Sequence, residues 1–140
     1  MVTTAMADPQ SVSRVLVVGA TGALGGRVVG ELASRGRSVR ALVREGSDAT
    51  PLSEQGVEVV RGDLVDAASL EPALDGVDAL VTTAAGYVRR RRGDSLAAVD
   101  DRGNRNLVDA ARNAGLGRFV FTSILTLTRR RMCRISGRRS

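Results

Sequence analysis

The chain has 140 residues, which bounds it at about one domain with a single core. Hydrophobic residues make up 43% but aromatic residues only 2%, so that core must be aliphatic, mainly Val, Leu and Ala. The formal charge of +6 invites a nucleic-acid reading, but residues 128–140 hold six arginines and no acid, which leaves 15 arginines against 15 acidic residues in the body and argues against that reading.

Residues 1–13 are small and polar without a period and read as a loose leader. Residues 14–18 are a continuous apolar run, the mark of a strand buried on both faces. Val28, Val29, Leu32 and Ala33 then recur at helical spacing, and Gly36 follows as a stop. Val39 to Val43 make a second strand. Thr50-Pro51 suits an N-cap followed by proline at the first helical position, opening a short helix to about Gln55. Val57 to Val60 form a third strand. Ala67 to Leu74 read as a short helix, with Pro72 tolerable only because it falls early. Ala79 to Thr82 are a fourth strand. Leu96, Val99, Gly103, Leu107, Ala110, Ala111 and Ala114 form one small-apolar helical stripe, ended by Gly115. Phe119 to Thr122 are a fifth strand.

Alternation of strand and helix five times over implies a parallel α/β sheet of about five strands with helices on both faces, a Rossmann-type fold. The expected strand order is 3-2-1-4-5. This domain would span residues 14–127.

The chemistry concentrates in Gly19, Gly22 and Gly25, spaced G-x-x-G-x-x-G between a strand and a helix. Gly19 permits a tight turn, Gly22 lets a pyrophosphate approach the backbone, and Gly25 lets the helix pack closely on the strand. The helix start offers free N–H groups and a partial positive charge to phosphates. A Walker-type loop is excluded because no Lys-Ser/Thr follows. The alternative is a glycine-rich turn without ligand. Arg44 ends the second strand about twenty residues further on, where a dinucleotide fold reads the adenosine ribose. Arginine there suits a 2′-phosphate and hence NADP(H), with NAD(H) possible because Glu45 is adjacent; the alternative is a solvated arginine at a strand end. Asp63 could accept from an adenine amino group or cap the next turn. Thr82-Thr83-Ala84-Ala85-Gly86 closes the fourth strand with small residues that leave room for a ribose, or that simply form a loop exit.

The segments GATGALGG, ALVR, RGDL, TTAAG, DDRGNRNLVDAARNAG and RFVFTSIL, in that order, resemble the atypical short-chain dehydrogenase/reductases, in particular the NmrA-like and isoflavone-reductase-like branch. The resemblance covers residues 14 to about 126. It implies that Gly19, Thr21, Gly22, Ala23, Leu24 and Gly25 carry the phosphate loop. It implies further that Arg44 holds the 2′-phosphate, Asp63 and Leu64 the adenine, and Ala84, Ala85 and Gly86 the ribose. Asn106 matches the family's helix asparagine, and Asp100 stands where an earlier asparagine of that pattern is expected. Ser123 matches a serine or threonine near the nicotinamide and is the candidate catalytic residue. The implied reaction is hydride transfer between NADPH and a carbonyl or alkene substrate, with the cofactor supplying the chemistry. Tyr-x-x-x-Lys, which does acid–base work in the wider family, is absent: the chain has no lysine, and its single tyrosine, Tyr87, precedes the expected position. The rival implication is a dinucleotide-sensing regulator without catalysis, acting on an unidentified protein partner.

Arg89 to Arg92 could steer an anion but fit a solvated loop better. Residues 128–140 match no family motif. Relatives continue after Thr-Ser-Ile-Leu with a segment resembling Asp-Lys-Ala-Pro-Asp-Val-Pro-His-Phe. Written in GC-rich codons and read one base out of frame, that segment gives Thr-Arg-Arg-Arg-Met-Cys-Arg-Ile-Ser, the sequence of residues 128–136. The tail is therefore expected to be out of frame, or disordered, and the domain incomplete. One cysteine, Cys133, fits a reducing compartment, and a cytoplasmic location is the expectation. No membrane segment, signal peptide or metal site is expected.

Overall fold

The computed structural model describes residues 12–84 and 102–122. Five strands, β1 (Arg14–Val18), β2 (Ser38–Val43), β3 (Glu58–Arg61), β4 (Ala79–Thr82) and β5 (Arg118–Phe121), form one parallel sheet in the order β3-β2-β1-β4-β5. Among the described residues, four α-helices accompany them: α1 (Ala23–Ser34), α2 (Thr50–Glu54), α3 (Leu70–Leu74) and α4 (Asn104–Asn113). The expected order and the alternation both hold.

The sheet separates two aliphatic cores, and β1 feeds both. Alternate residues of a strand point to opposite faces. Val15 and Val17 therefore join Val39, Ala41, Val43 and the α1 residue Val29 on one side. Leu16 and Val18 join Leu42, Leu80, Leu70 and the α4 residue Leu107 on the other. Leu16, Val17, Val29, Leu70, Leu80 and Leu107 are fully buried. Each contributes about 1.5–3 kcal/mol relative to exposure.

Helix α1 ends as the sequence indicates. Gly36 takes φ +73, and the N–H groups of Gly36 and Arg37 donate to the carbonyls of Ala33 and Leu32. Two other boundaries differ from expectation. Thr50 lies inside α2 and is not its cap: Ala49 is the N-cap, and the Thr50 N–H donates to Asp48 Oδ1 at 3.0 Å. The expected helix 67–74 is broken into a 3-10 turn (Ala67–Ser69) followed by α3. Pro72 supplies the reason: it has no N–H to donate backwards, and restarting at Leu70 places it in a first turn, where N–H groups have no intrahelical partner anyway. Of the stripe expected for the fourth helix, Gly103, Leu107 and Ala111 are buried, whereas Ala114 is exposed beyond the last turn. Leu96 and Val99 lie outside the described residues.

A cation sits inside the second core. Arg40 is 7% exposed and pairs across strands with Glu58 at 3.0 Å. Its Nη1 donates to the carbonyls of Ala73 (3.0 Å) and Asp75 (2.5 Å), at the end of α3. Carbonyls at a helix end lack intrahelical donors and favour a positive charge. Arg40 thereby fastens β2, β3 and α3 together. At the opposite end of the sheet from the glycine turn, Asp78 Oδ2 accepts from the N–H groups of Ser13 (3.0 Å) and Arg14 (2.9 Å), fixing the start of β1 beside β4.

Candidate functional site

A parallel sheet brings all its carboxyl ends to one side, and the strand order reverses between β1 and β4. Gly19, Thr21, Gly22, Ala23, Leu24 and Gly25 occupy the turn from β1 into α1 at that point. Arg44 follows β2, Asp63 and Leu64 follow β3, and Ala84 follows β4. Asn106 lies in α4. Ala85, Gly86 and Ser123, together with Tyr87, Arg89 to Arg92, Asp100 and the tail 128–140, lie outside the described residues.

The three glycines are bare for different reasons. Gly19 takes φ +87, a conformation side chains rarely adopt, and a Cβ there would stand 2.5 Å from Thr83 Oγ1. A Cβ on Gly25 would stand 1.9 Å from the Gly19 carbonyl oxygen and 2.9 Å from Thr83 Oγ1. Both are excluded by the protein itself. Gly22 is not. Its φ is −81, and a Cβ would meet only the Gly19 carbonyl oxygen, at an ordinary 3.4 Å. The fold would accept a side chain at Gly22, so the space it keeps open faces outward.

That space lies at the start of α1. Gly22 is the N-cap, no side chain caps the helix, and its first turn carries no acid. The Gly22 N–H donates to Gly19 O at 3.0 Å, which closes the turn. Thr21, Ala23 and Leu24 are exposed. An uncapped twelve-residue helix start beside bare backbone offers N–H donors and a partial positive charge to an anion.

Thr83 braces the turn from the β4 side. Its N–H donates to Val18 O at 2.9 Å, and its hydroxyl oxygen stands 3.3 Å from Val18 O and 3.4 Å from Gly19 O, with one proton to donate between them. The small side chain is required, since both Gly19 and Gly25 close on its Oγ1. The run TTAAG draws attention to this stretch, but nothing in one dimension singles out Thr83.

The loop after β3 is knitted by Ser69, a few residues on, and by Asn106 of α4. Ser69 Oγ accepts from the Asp63 N–H at 2.9 Å and stands 2.9 Å from Asp63 O and 2.7 Å from Asp66 O. Asp63 Oδ1 accepts from the Val65 N–H at 3.1 Å, so this carboxylate oxygen caps the turn. Asn106 Nδ2 donates to Leu64 O at 2.8 Å. Asn106 thus holds the loop in place from α4. Asn104, buried at the start of the same helix, had no signal beyond its helical context.

Beside Arg44, Arg61 Nη1 donates to Arg44 O (2.9 Å) and Ser47 O (2.7 Å). Asp48, in the same loop, has its carboxyl held below the usual range, chiefly by the Thr50 N–H and least by the charge of Arg61. Among the described residues, no helix is long and apolar enough to cross a membrane.

The family model described as the NmrA-like family matches residues 11–136. Sterol demethylase protein B of Methylococcus capsulatus is 46% identical over 110 residues, which cover 77% of this chain and 33% of that protein. Photosystem II assembly factor Ycf39 of Synechocystis sp. is 40% identical over 112 residues, 80% of this chain and 34% of that protein. Among solved structures, a short-chain dehydrogenase/reductase superfamily protein from Agrobacterium tumefaciens, with bound NAD, is 38% identical with a TM-score of 0.63, over 79% of this chain and 32% of that one. The chain thus spans about a third of the length of the relatives it matches.

Proposed function

The chain belongs to the NmrA-like family, and from that premise we propose that residues 14–127 belong to a dinucleotide-binding domain of the short-chain dehydrogenase/reductase type. The observation that carries this reading is Gly22. The fold itself leaves room for a Cβ there, yet the backbone is bare where the uncapped start of α1 offers its donors. A pyrophosphate matches that site in charge and in its need for close backbone approach. The relative with bound NAD supports a nicotinamide dinucleotide in particular.

Arg44 points the finer choice toward NADP(H). A guanidinium at the end of β2 suits a 2′-phosphate, which it can grip with two parallel hydrogen bonds. The loop of Asp63 and Leu64, held by Ser69 and Asn106, would form the adenine end, and Ala84 part of the ribose wall. In such a domain the dinucleotide supplies the hydride chemistry, and these residues bind and orient it.

For the whole protein the proposed activity is hydride transfer between NADPH and a carbonyl or alkene substrate, in a cytoplasmic setting, with Ser123 as the candidate catalytic group. The second reading is a dinucleotide-sensing regulator without turnover.

Calorimetric titration with NADP⁺ and NAD⁺, beside NADPH oxidation over a panel of carbonyl compounds, tests both. Binding with turnover supports the reductase, and binding without turnover supports the regulator. No binding of either nucleotide by folded protein sinks the proposal.

A further inference from the structure

We propose that Arg61 is a positioning residue that sets the preference for a 2′-phosphorylated dinucleotide by holding the loop of Arg44. The inference rests on the dinucleotide reading above and deepens it.

Arg61 is the last residue of β3 and pairs in register with Val43, the last residue of β2. Its side chain therefore starts beside the point where the chain turns into the loop 44–47. One guanidinium nitrogen, Nη1, reaches both ends of that loop, 2.9 Å from the Arg44 carbonyl and 2.7 Å from the Ser47 carbonyl. The Ser47 N–H closes the same turn onto Arg44 O at 3.1 Å. Gly46, between them, takes φ +77, so the turn holds a conformation that an unsupported chain visits among many. The loop is polar and mostly exposed, with Glu45 and Gly46 at the surface, and apolar packing does little to fix it. Arg61 ties its two ends together.

Selectivity at a ribose depends on where Arg44 begins. A bidentate grip on phosphate demands orientation as well as charge, and a loose backbone would have to be ordered on binding. Arg61 removes that cost in advance. Lysine copies it only in part: its ammonium has donors for both carbonyls but lacks the planar, pre-organised geometry of the guanidinium. On this reading the Arg44 guanidinium engages the 2′-phosphate, which NAD⁺ lacks, so the effect should fall mainly on NADP⁺.

The test uses the full chain with Arg61→Met, Arg61→Lys, Arg44→Ala and the Arg44→Ala/Arg61→Met double variant. NADP⁺ and NAD⁺ are titrated calorimetrically, and amide exchange is followed at residues 45–48. Arg61→Met should weaken NADP⁺ about tenfold, the size of one charge-assisted contact, while NAD⁺ changes less than about twofold. Arg61→Lys should recover part of the loss, and the Ser47 amide should exchange faster in Arg61→Met. The double variant should bind NADP⁺ no worse than Arg44→Ala alone, because a positioning residue has nothing left to position. Additive losses would mean direct phosphate contact and overturn the proposal, as would equal weakening of both nucleotides or unchanged exchange. If wild type prefers NADP⁺ and Arg44→Ala abolishes the preference while Arg61→Met does not, the proposal alone fails. If folded wild type binds neither nucleotide, the dinucleotide reading fails and takes the proposal with it.

Discussion

Asn106 donates its side-chain amide to the carbonyl of Leu64 across 2.8 Å of space and 42 positions of chain. A helix on the far side of the sequence thus fixes the loop that follows β3. Asn106→Ala leaves that carbonyl without this donor. The expected cost is about 1 kcal/mol, a fall of about 4 °C in thermal midpoint. NADP⁺ and NAD⁺ should weaken together, because both carry the same adenine. Loss confined to NADP⁺ would contradict the placement of adenine at this loop.

Gly25 and Gly22 separate stability from binding. Gly25→Ala sets a methyl against a backbone carbonyl that cannot move without displacing α1. It should cost about 3 kcal/mol or more, read from the urea midpoint. Gly22→Ala should cost about 1 kcal/mol at most, the scale of an N-cap change. Its dinucleotide affinity should nevertheless fall more than about tenfold, one hydrogen-bonded contact's worth. Equal binding by Gly22→Ala and wild type would remove the main support for a pyrophosphate site.

Arg40 and Glu58 should respond unequally to neutralisation. Arg40→Met strands the carbonyls of Ala73 and Asp75 and should destabilise by about 2–4 kcal/mol. The Glu58 side chain is 53% exposed, so Glu58→Gln should cost less than about 1 kcal/mol. Comparing their denaturant midpoints checks the asymmetry. A Glu58→Gln variant as unstable as Arg40→Met would show that the ion pair, and not the helix-end carbonyls, is what matters.

Acid should loosen the fold through its carboxylates. Asp78 is held below the usual range by the Arg14 and Ser13 N–H groups, Glu58 chiefly by its hydrogen bond from Arg40, and Asp48 chiefly by the Thr50 N–H. Each folded value is depressed, so each contribution is complete above the unfolded value and disappears as pH falls through the folded one. The window lies below about pH 4.5, the ordinary glutamate value. Urea midpoints from pH 7 to pH 3 should decline, and Asp78→Asn should flatten part of that slope. A slope unchanged by Asp78→Asn would mean that its hydrogen bonds to β1 add nothing on folding.

What the sequence shows depends on how far an interaction reaches along the chain. The run at residues 14–18 discloses a central strand because burial on both faces needs apolar residues at every position. Gly36 and Gly19 disclose turns because positive φ selects glycine locally. Strand order follows from connection rules. Arg40 stays hidden, since a charge in a strand reads as a surface residue until Ala73 and Asp75 are folded over it. Thr83, Ser69 and Arg61 stay hidden too, because each acts on backbone carbonyls or amides that carry no sequence identity. Thr50-Pro51 looks like a cap and first turn, but the helix begins one residue earlier and Asp48 accepts from the N–H of Thr50 itself.

The central place of β1 has a consequence during synthesis. Its first neighbour, β2, follows closely, but its second, β4, comes much later. Once β3 has emerged from the ribosome, roughly twenty more residues must be made before β4 is complete, about one to four seconds at ordinary elongation rates. Throughout that interval a nascent half-sheet presents Val15 to Val18, the buried centre of the finished sheet, as an unpaired edge to whatever chain is nearby. Slower translation of residues 62–82 would lengthen that exposure and lower the soluble yield without altering a single native contact.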